Sequence, residues 1–163
     1  MFILRLLDKH FKNVEGLEVN KFFSEPYYRV TSNLQSIKQL NVHSYESNRD
    51  EIVRIFALFP NLQELMIPYV FLLSDGYHEY FPEAKFLKNL VVSKCLIYPP
   101  NILSKFPNLA QLIIRGKGDG SKVDTIFQQF REYLPNGCDV TFEPLQESEQ
   151  DYESTLLQEF LYI

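Results

Sequence analysis

Apolar residues recur along this chain in the pattern apolar-x-x-apolar-x-apolar. Five copies stand out: Val14-Glu-Gly-Leu17-Glu-Val19, Leu34-Gln-Ser-Ile37-Lys-Gln-Leu40-Asn-Val42, Leu62-Gln-Glu-Leu65-Met-Ile67, Leu87-Lys-Asn-Leu90-Val-Val92 and Leu109-Ala-Gln-Leu112-Ile-Ile114. A weaker sixth, Cys138-Asp-Val140-Thr-Phe142, closes the series. The final two apolar residues of each copy lie two apart, the period of a β-strand, so they point to one side while the residue between them points to the other. With Leu17, Leu40, Leu65, Leu90, Leu112 and Val140 as markers, the copies are spaced by 23, 25, 25, 22 and 28 residues. Two copies share a longer word in the same place before the strand, Phe59-Pro-Asn-Leu62 and Phe106-Pro-Asn-Leu109.

Segments between the strands carry helical periodicity or turn residues. Asp50 to Phe59 puts Ile52, Ile55, Phe56 and Phe59 on one helical stripe, with acids in its first turn. Ser121-Lys-Val-Asp124 opens a second helix as a Ser-x-x-acid cap, which continues through Ile126, Phe127, Phe130 and Leu134 until Pro135-Asn-Gly137 stops it. Tyr98 to Lys105 predicts a short Pro-started helix, and 74–86 a loop with at most a short turn. A single strand unit cannot bury its own apolar side, so successive units must stack, and a period of roughly 20 to 29 residues is that of a leucine-rich repeat. The expected fold is α/β: a leucine-rich-repeat solenoid with a curved parallel sheet of about six strands, backed by helices and irregular loops. It would span 12–143, with residues 1–11 as an N-terminal cap and 144–163 as an acidic tail or capping helix.

The recurrent phrase Phe-Pro-Asn-Leu-x-x-Leu-x-Ile resembles the irregular leucine-rich repeats of F-box/leucine-rich-repeat proteins over residues 11 to 143. That resemblance implies helices behind a curved parallel sheet and repeats that recognise substrates for ubiquitin ligases. It also implies a separate N-terminal F-box that docks a Skp-type adaptor. The first repeat of this chain begins almost at once, so either an N-terminal domain is missing or the repeats serve another purpose.

Composition narrows the function. With 45% hydrophobic and 23% charged residues the chain is ordinary globular material for one domain. The net charge of −5 is unevenly placed: six acids and no Lys or Arg fall in 143–163, which leaves +1 over 1–142. Without clustered Lys and Arg there is no footprint for a phosphate backbone, and nucleic acid is not an expected partner. The apolar start, Met1 to Leu7, is broken by Arg5 and lacks a small-residue cleavage site. No membrane association is expected, and a cytoplasmic or nuclear location is. Cys95 and Cys138 lie far apart with no neighbouring histidine, which suggests neither zinc nor a disulfide framework.

Catalytic chemistry is not expected. His10, His43 and His78 lie on three separate segments with no acid at ligand spacing, so no metal is expected. Gly116-Lys-Gly-Asp-Gly120 follows a strand and precedes a helix but does not match the phosphate-loop consensus. No nucleophile elbow appears, and no cofactor is expected.

The strand arithmetic instead names a binding surface. The outward residues between the marked pairs are Glu18, Asn41, Met66, Val91, Ile113 and Thr141, of which Met66, Val91 and Ile113 are consecutive and apolar. A solvated sheet face would favour polar residues there. Flanking stripes are Gly16, Gln39, Glu64, Asn89, Gln111 and Asp139 on one side, and Asn20, His43, Pro68, Ser93, Arg115 and Glu143 on the other. An apolar anchor of Met66, Val91 and Ile113 rimmed by Glu64, Gln111, His43 and Arg115 has the anatomy of a protein interface. The expected role is thus a protein-binding module, with membership of a larger complex through the ends, residues 1–11 and 150–163, as the alternative.

Overall fold

The computed structural model describes residues 13–22, 34–45, 49–67, 81–93, 100–116 and 123–144. They form an α/β arrangement with six parallel strands in one sheet, in the order of the chain: β1 (Gly16–Phe22), β2 (Gln39–Tyr45), β3 (Glu64–Ile67), β4 (Asn89–Ser93), β5 (Gln111–Gly116) and β6 (Asp139–Pro144). The register follows the sequence markers: Leu17 stands opposite Leu40, then Leu65, Leu90, Leu112 and Val140. Each marker and the apolar residue two beyond it face one side, and in β2 to β5 all eight such residues are buried.

A β-turn precedes each of β2 to β6. Ile37, Leu62, Leu87, Leu109 and Cys138 donate their N–H to the carbonyls of Leu34, Phe59, Ala84, Phe106 and Pro135. In the last turn Gly137 takes φ 86°, a region that a side chain resists. After the turn, one carbonyl accepts from two successive amides of the next strand: Glu15 from Lys38 and Gln39, Lys38 from Gln63 and Glu64, Gln63 from Lys88 and Asn89, and Lys88 from Ala110 and Gln111. Side chains add rungs at the repeated word. Asn61 Nδ2 donates to the Gln35 carbonyl at 2.9 Å and Asn108 Nδ2 to the Lys85 carbonyl at 2.7 Å. In the intervening copy the same turn position holds Phe86, which is 52% exposed.

One face of the sheet is covered. Helix α1 (Arg49–Leu58) buries Ile55 and Phe56, with Leu58 and Phe59 at its end. The side chain of Ile52 lies outside the described residues. The helix stops before Pro60, whose ring disfavours helical geometry in the residue preceding it. Of the short helix expected over 98–105, Pro100–Lys105 is a 3₁₀ helix that buries Ile102 and Leu103, and residues 98–99 lie outside the described residues. Where 81–87 supplies no helix, rings fill the space: Phe81 meets Phe56 at 5.4 Å and Phe106 at 5.8 Å, both edge-on, and Phe56 lies 5.7 Å from Phe106.

Helix α2 (Val123–Arg131) ends sooner than the apolar stripe predicts. Leu134 lies beyond it, because Tyr133 and Leu134 both donate to the Phe130 carbonyl in a tight closing turn ahead of Pro135. Residues 121–122 of the expected cap, the 1–11 cap, 74–80 of the expected loop and 145–163 of the tail lie outside the described residues. Among the described residues no helix is long and apolar enough to cross a membrane.

Candidate functional site

The sheet face opposite the core carries the site. Strand parity sends alternate residues there, and the parallel register aligns them in rows across the sheet. Glu18, Asn41, Met66, Val91, Ile113 and Thr141 form the central row, and Gly16, Gln39, Glu64, Asn89, Gln111 and Asp139 the row nearer the strand starts. Met66, Val91 and Ile113 therefore sit side by side, each half-buried, over about 10 Å at strand spacing. An open groove of about 450 Å³ runs along this face, lined by residues that include Glu18, Asn41, Glu64, Met66, Val91 and Gln111.

Polar contacts fix the surroundings of the apolar row. Asn89 Nδ2 donates to Glu64 Oε1 at 3.3 Å, which orients the Glu64 carboxylate at the groove margin. On the far side Arg115 donates from Nε to Glu143 Oε2 at 2.9 Å. Its Nη1 reaches back across β4 to Met66 Sδ at 3.8 Å, a weak acceptor. Ser93, on the strand that Arg115 crosses, is 7% exposed, so this outward-parity position is not an open part of the rim. His43 pairs with Glu18 diagonally across β1 and β2.

Asn41 Oδ1, in the groove wall, is buried with no hydrogen-bond donor among the described residues. Such an atom costs about 1 to 3 kcal/mol when left unpaired.

His43 and Arg115 are not brought together. They stand on β2 and β5, three strand spacings or about 14 Å apart, and each is engaged by its own carboxylate. Among the described residues no group of three or more His, Cys, Asp and Glu side chains gathers as a metal ion requires. Gly116 ends β5, where a Cβ would stand 3.0 Å from the Phe142 ring; close packing thus accounts for this glycine. Cys138 is half-buried at the start of β6, where burial, helped by the Asp139 charge, pushes its thiol up from the ordinary value.

The residue rows, with Arg115 and Glu143 as neighbours in one of them, follow from strand arithmetic, whereas the ion pair between the two is seen only in the structure. The lean of Arg115 onto Met66 and the diagonal His43–Glu18 pair do not follow from it either, since parity fixes the face and not the reach of a long side chain.

The open face is acidic. Glu18, Glu64, Asp139 and Glu143 occupy outward positions, and Arg115 is the single Lys or Arg among those of the described strands. The chain matches no known family model, no curated protein and no solved structure.

Proposed function

We propose that the chain is a leucine-rich-repeat solenoid whose concave sheet face binds another protein, as the substrate-recognition module of a ubiquitin ligase does. The observation that carries this reading is the in-register row of Met66, Val91 and Ile113. These apolar residues are half-buried beside an open groove and flanked by oriented polar groups. Interfaces place apolar anchors in such desolvated centres and polar residues at the rim. Glu64, Gln111, His43 and Arg115 form that rim, and the repeat spacing supports the solenoid.

The test is the double substitution Met66→Asp, Ile113→Asp. Neither side chain enters the core, so the circular dichroism spectrum should be retained, at a stability cost of about 1 kcal/mol each for Asp in a strand. Affinity capture followed by mass spectrometry should lose the partner that the wild type retains. Unchanged capture by the folded variant would refute the proposal.

A second reading, a constitutive subunit assembled through the ends, is favoured by β1 and β6. Leu17, Val19, Val140 and Phe142 are only partly buried, although they hold the same inward positions that are closed in β2 to β5. Deleting residues 150–163 would then cause loss of assembly or aggregation rather than loss of one ligand.

A further inference from the structure

We infer that the groove takes a cationic, partly apolar polypeptide segment of about six extended residues, with Lys or Arg at one end and aliphatic or aromatic side chains at the other. This rests on the protein-binding reading above and names the chemistry of the partner. Charge is segregated along the groove. Among the described residues those lining it include Glu18 and Glu64 and no Lys or Arg, while the face's Arg115, which touches Met66 Sδ at 3.8 Å, already has its charge paired with Glu143 at 2.9 Å. Outward positions of the described strands within residues 1–142 carry three acids against Arg115, or −2, although residues 1–142 as a whole carry +1. Three of the fifteen acids in that stretch stand on this face against one of its sixteen Lys and Arg, so the face is net acidic and the rest of the stretch net basic.

The hydrogen-bonding balance points the same way. Glu64 and Glu18 are exposed and each meets one neighbouring group, Asn89 and His43 respectively, which leaves further carboxylate lone pairs to accept from a ligand, and Asn41 Oδ1 has no donor among the described residues. A bound Lys or Arg supplies donors and charge together.

The geometry sets the length. Glu18 on β1 and Ile113 on β5 are four strand spacings apart, about 19 Å, which an extended chain covers in about six residues. The cationic end starts over Glu18 on β1 and reaches Glu64 on β3, and from Met66, on the same strand as Glu64, the apolar end continues over Val91 towards Ile113 on β5. Like charge disfavours the chain's own residues 143–163, which carry six acids and no Lys or Arg, and it disfavours nucleic acid and anionic lipid for the same reason.

The experiment is selection of a displayed random dodecapeptide library on the immobilised full chain, followed by fluorescence polarisation of the winning peptide. Expected is enrichment of Lys and Arg beside aliphatic or aromatic residues. Affinity should fall at least tenfold in Glu18→Lys, Glu64→Lys, fall less in Glu64→Gln, and weaken as salt rises from about 50 to about 500 mM. Met66→Asp, Ile113→Asp should abolish binding.

Peptides enriched without cationic bias, yet lost in Met66→Asp, Ile113→Asp, would overturn the charge assignment and leave the protein-binding face standing. Binding indifferent to both double variants would overturn the face itself. Displacement of the winning peptide by a synthetic peptide of residues 145–163 would assign the groove to the chain's own tail and overturn the proposal. Absence of any enrichment over an uncoated surface would overturn it as well.

Discussion

Replacing both Asn61 and Asn108 by Asp keeps shape and turn preference, removes the donor and sets a carboxylate against the acceptor carbonyl, so the lost hydrogen bond is the least that the change costs. Each Nδ2 now spans to a carbonyl of the preceding copy, Gln35 at 2.9 Å and Lys85 at 2.7 Å. A neutral hydrogen bond contributes about 0.5 to 1.5 kcal/mol net. Gln35 and Lys85 are exposed, so their carbonyls can turn to water, which places each loss near about 0.5 to 1 kcal/mol. The two sites lie on different junctions and should add, giving a minimum of about 1 to 2 kcal/mol, or a fall in Tm of roughly 2 to 8 °C for a chain of this size.

Phe86 supplies the converse, because an Asn in its place would face the Pro60 carbonyl. The ring is about half covered, and losing some 100 Å² of apolar contact costs up to about 2.5 kcal/mol, more than one rung returns. Phe86→Asn should therefore be less stable than wild type and more stable than Phe86→Asp, since only the amide can donate. Thermal melts followed by circular dichroism read all four proteins. Equal melting of Phe86→Asn and Phe86→Asp, together with an unchanged melt for the Asn61, Asn108 double variant, would refute the reasoning.

Phe106→Ala removes a fully buried ring that touches Phe56 and Phe81 and should cost about 3 to 5 kcal/mol by urea denaturation; a loss below about 1.5 kcal/mol would mean that the three rings do not form one packed unit. The raised thiol of Cys138 should react with iodoacetamide near pH 8 more slowly than a thiol in an unfolded peptide, as peptide-resolved mass spectrometry can follow. By the same shift, the folded state holds its proton where the unfolded chain has lost it. The Cys138 contribution is therefore full below the ordinary thiol range and declines as pH rises through it, a decline that Cys138→Ala should lack.

Strand register was legible because the marker residues repeat and a slip of one residue would expose the whole inward set. The extent of β1 was not: it runs to Phe22, three residues past the Val19 at which the repeated pattern ends, since hydrogen bonding does not end where alternation does. Leu134 continues the apolar stripe of α2 past its last helical residue because the closing turn packs on the same core. Ser93 obeys parity and is buried nonetheless, since a neighbouring Arg115 crosses its strand. The word Phe-Pro-Asn-Leu was visible, yet the acceptor of each Asn lies 26 or 23 residues back, a separation that no local pattern shows. On the candidate site, the apolar row was readable from parity alone, whereas the segregation of charge along the groove required knowing that Arg115 is committed to Glu143.

The doubled backbone acceptors at Glu15, Lys38, Gln63 and Lys88 have a consequence for how such a surface can change. The junctions between copies are made there by main-chain atoms, which every residue except proline supplies in full. Side-chain identity on the open face is thereby decoupled from the closure of the sheet. On the proposed binding role, a single substitution at Glu64, Met66 or Gln111 would retune what the face recognises and leave the scaffold intact, so specificity and foldability would vary as separate traits within one chain.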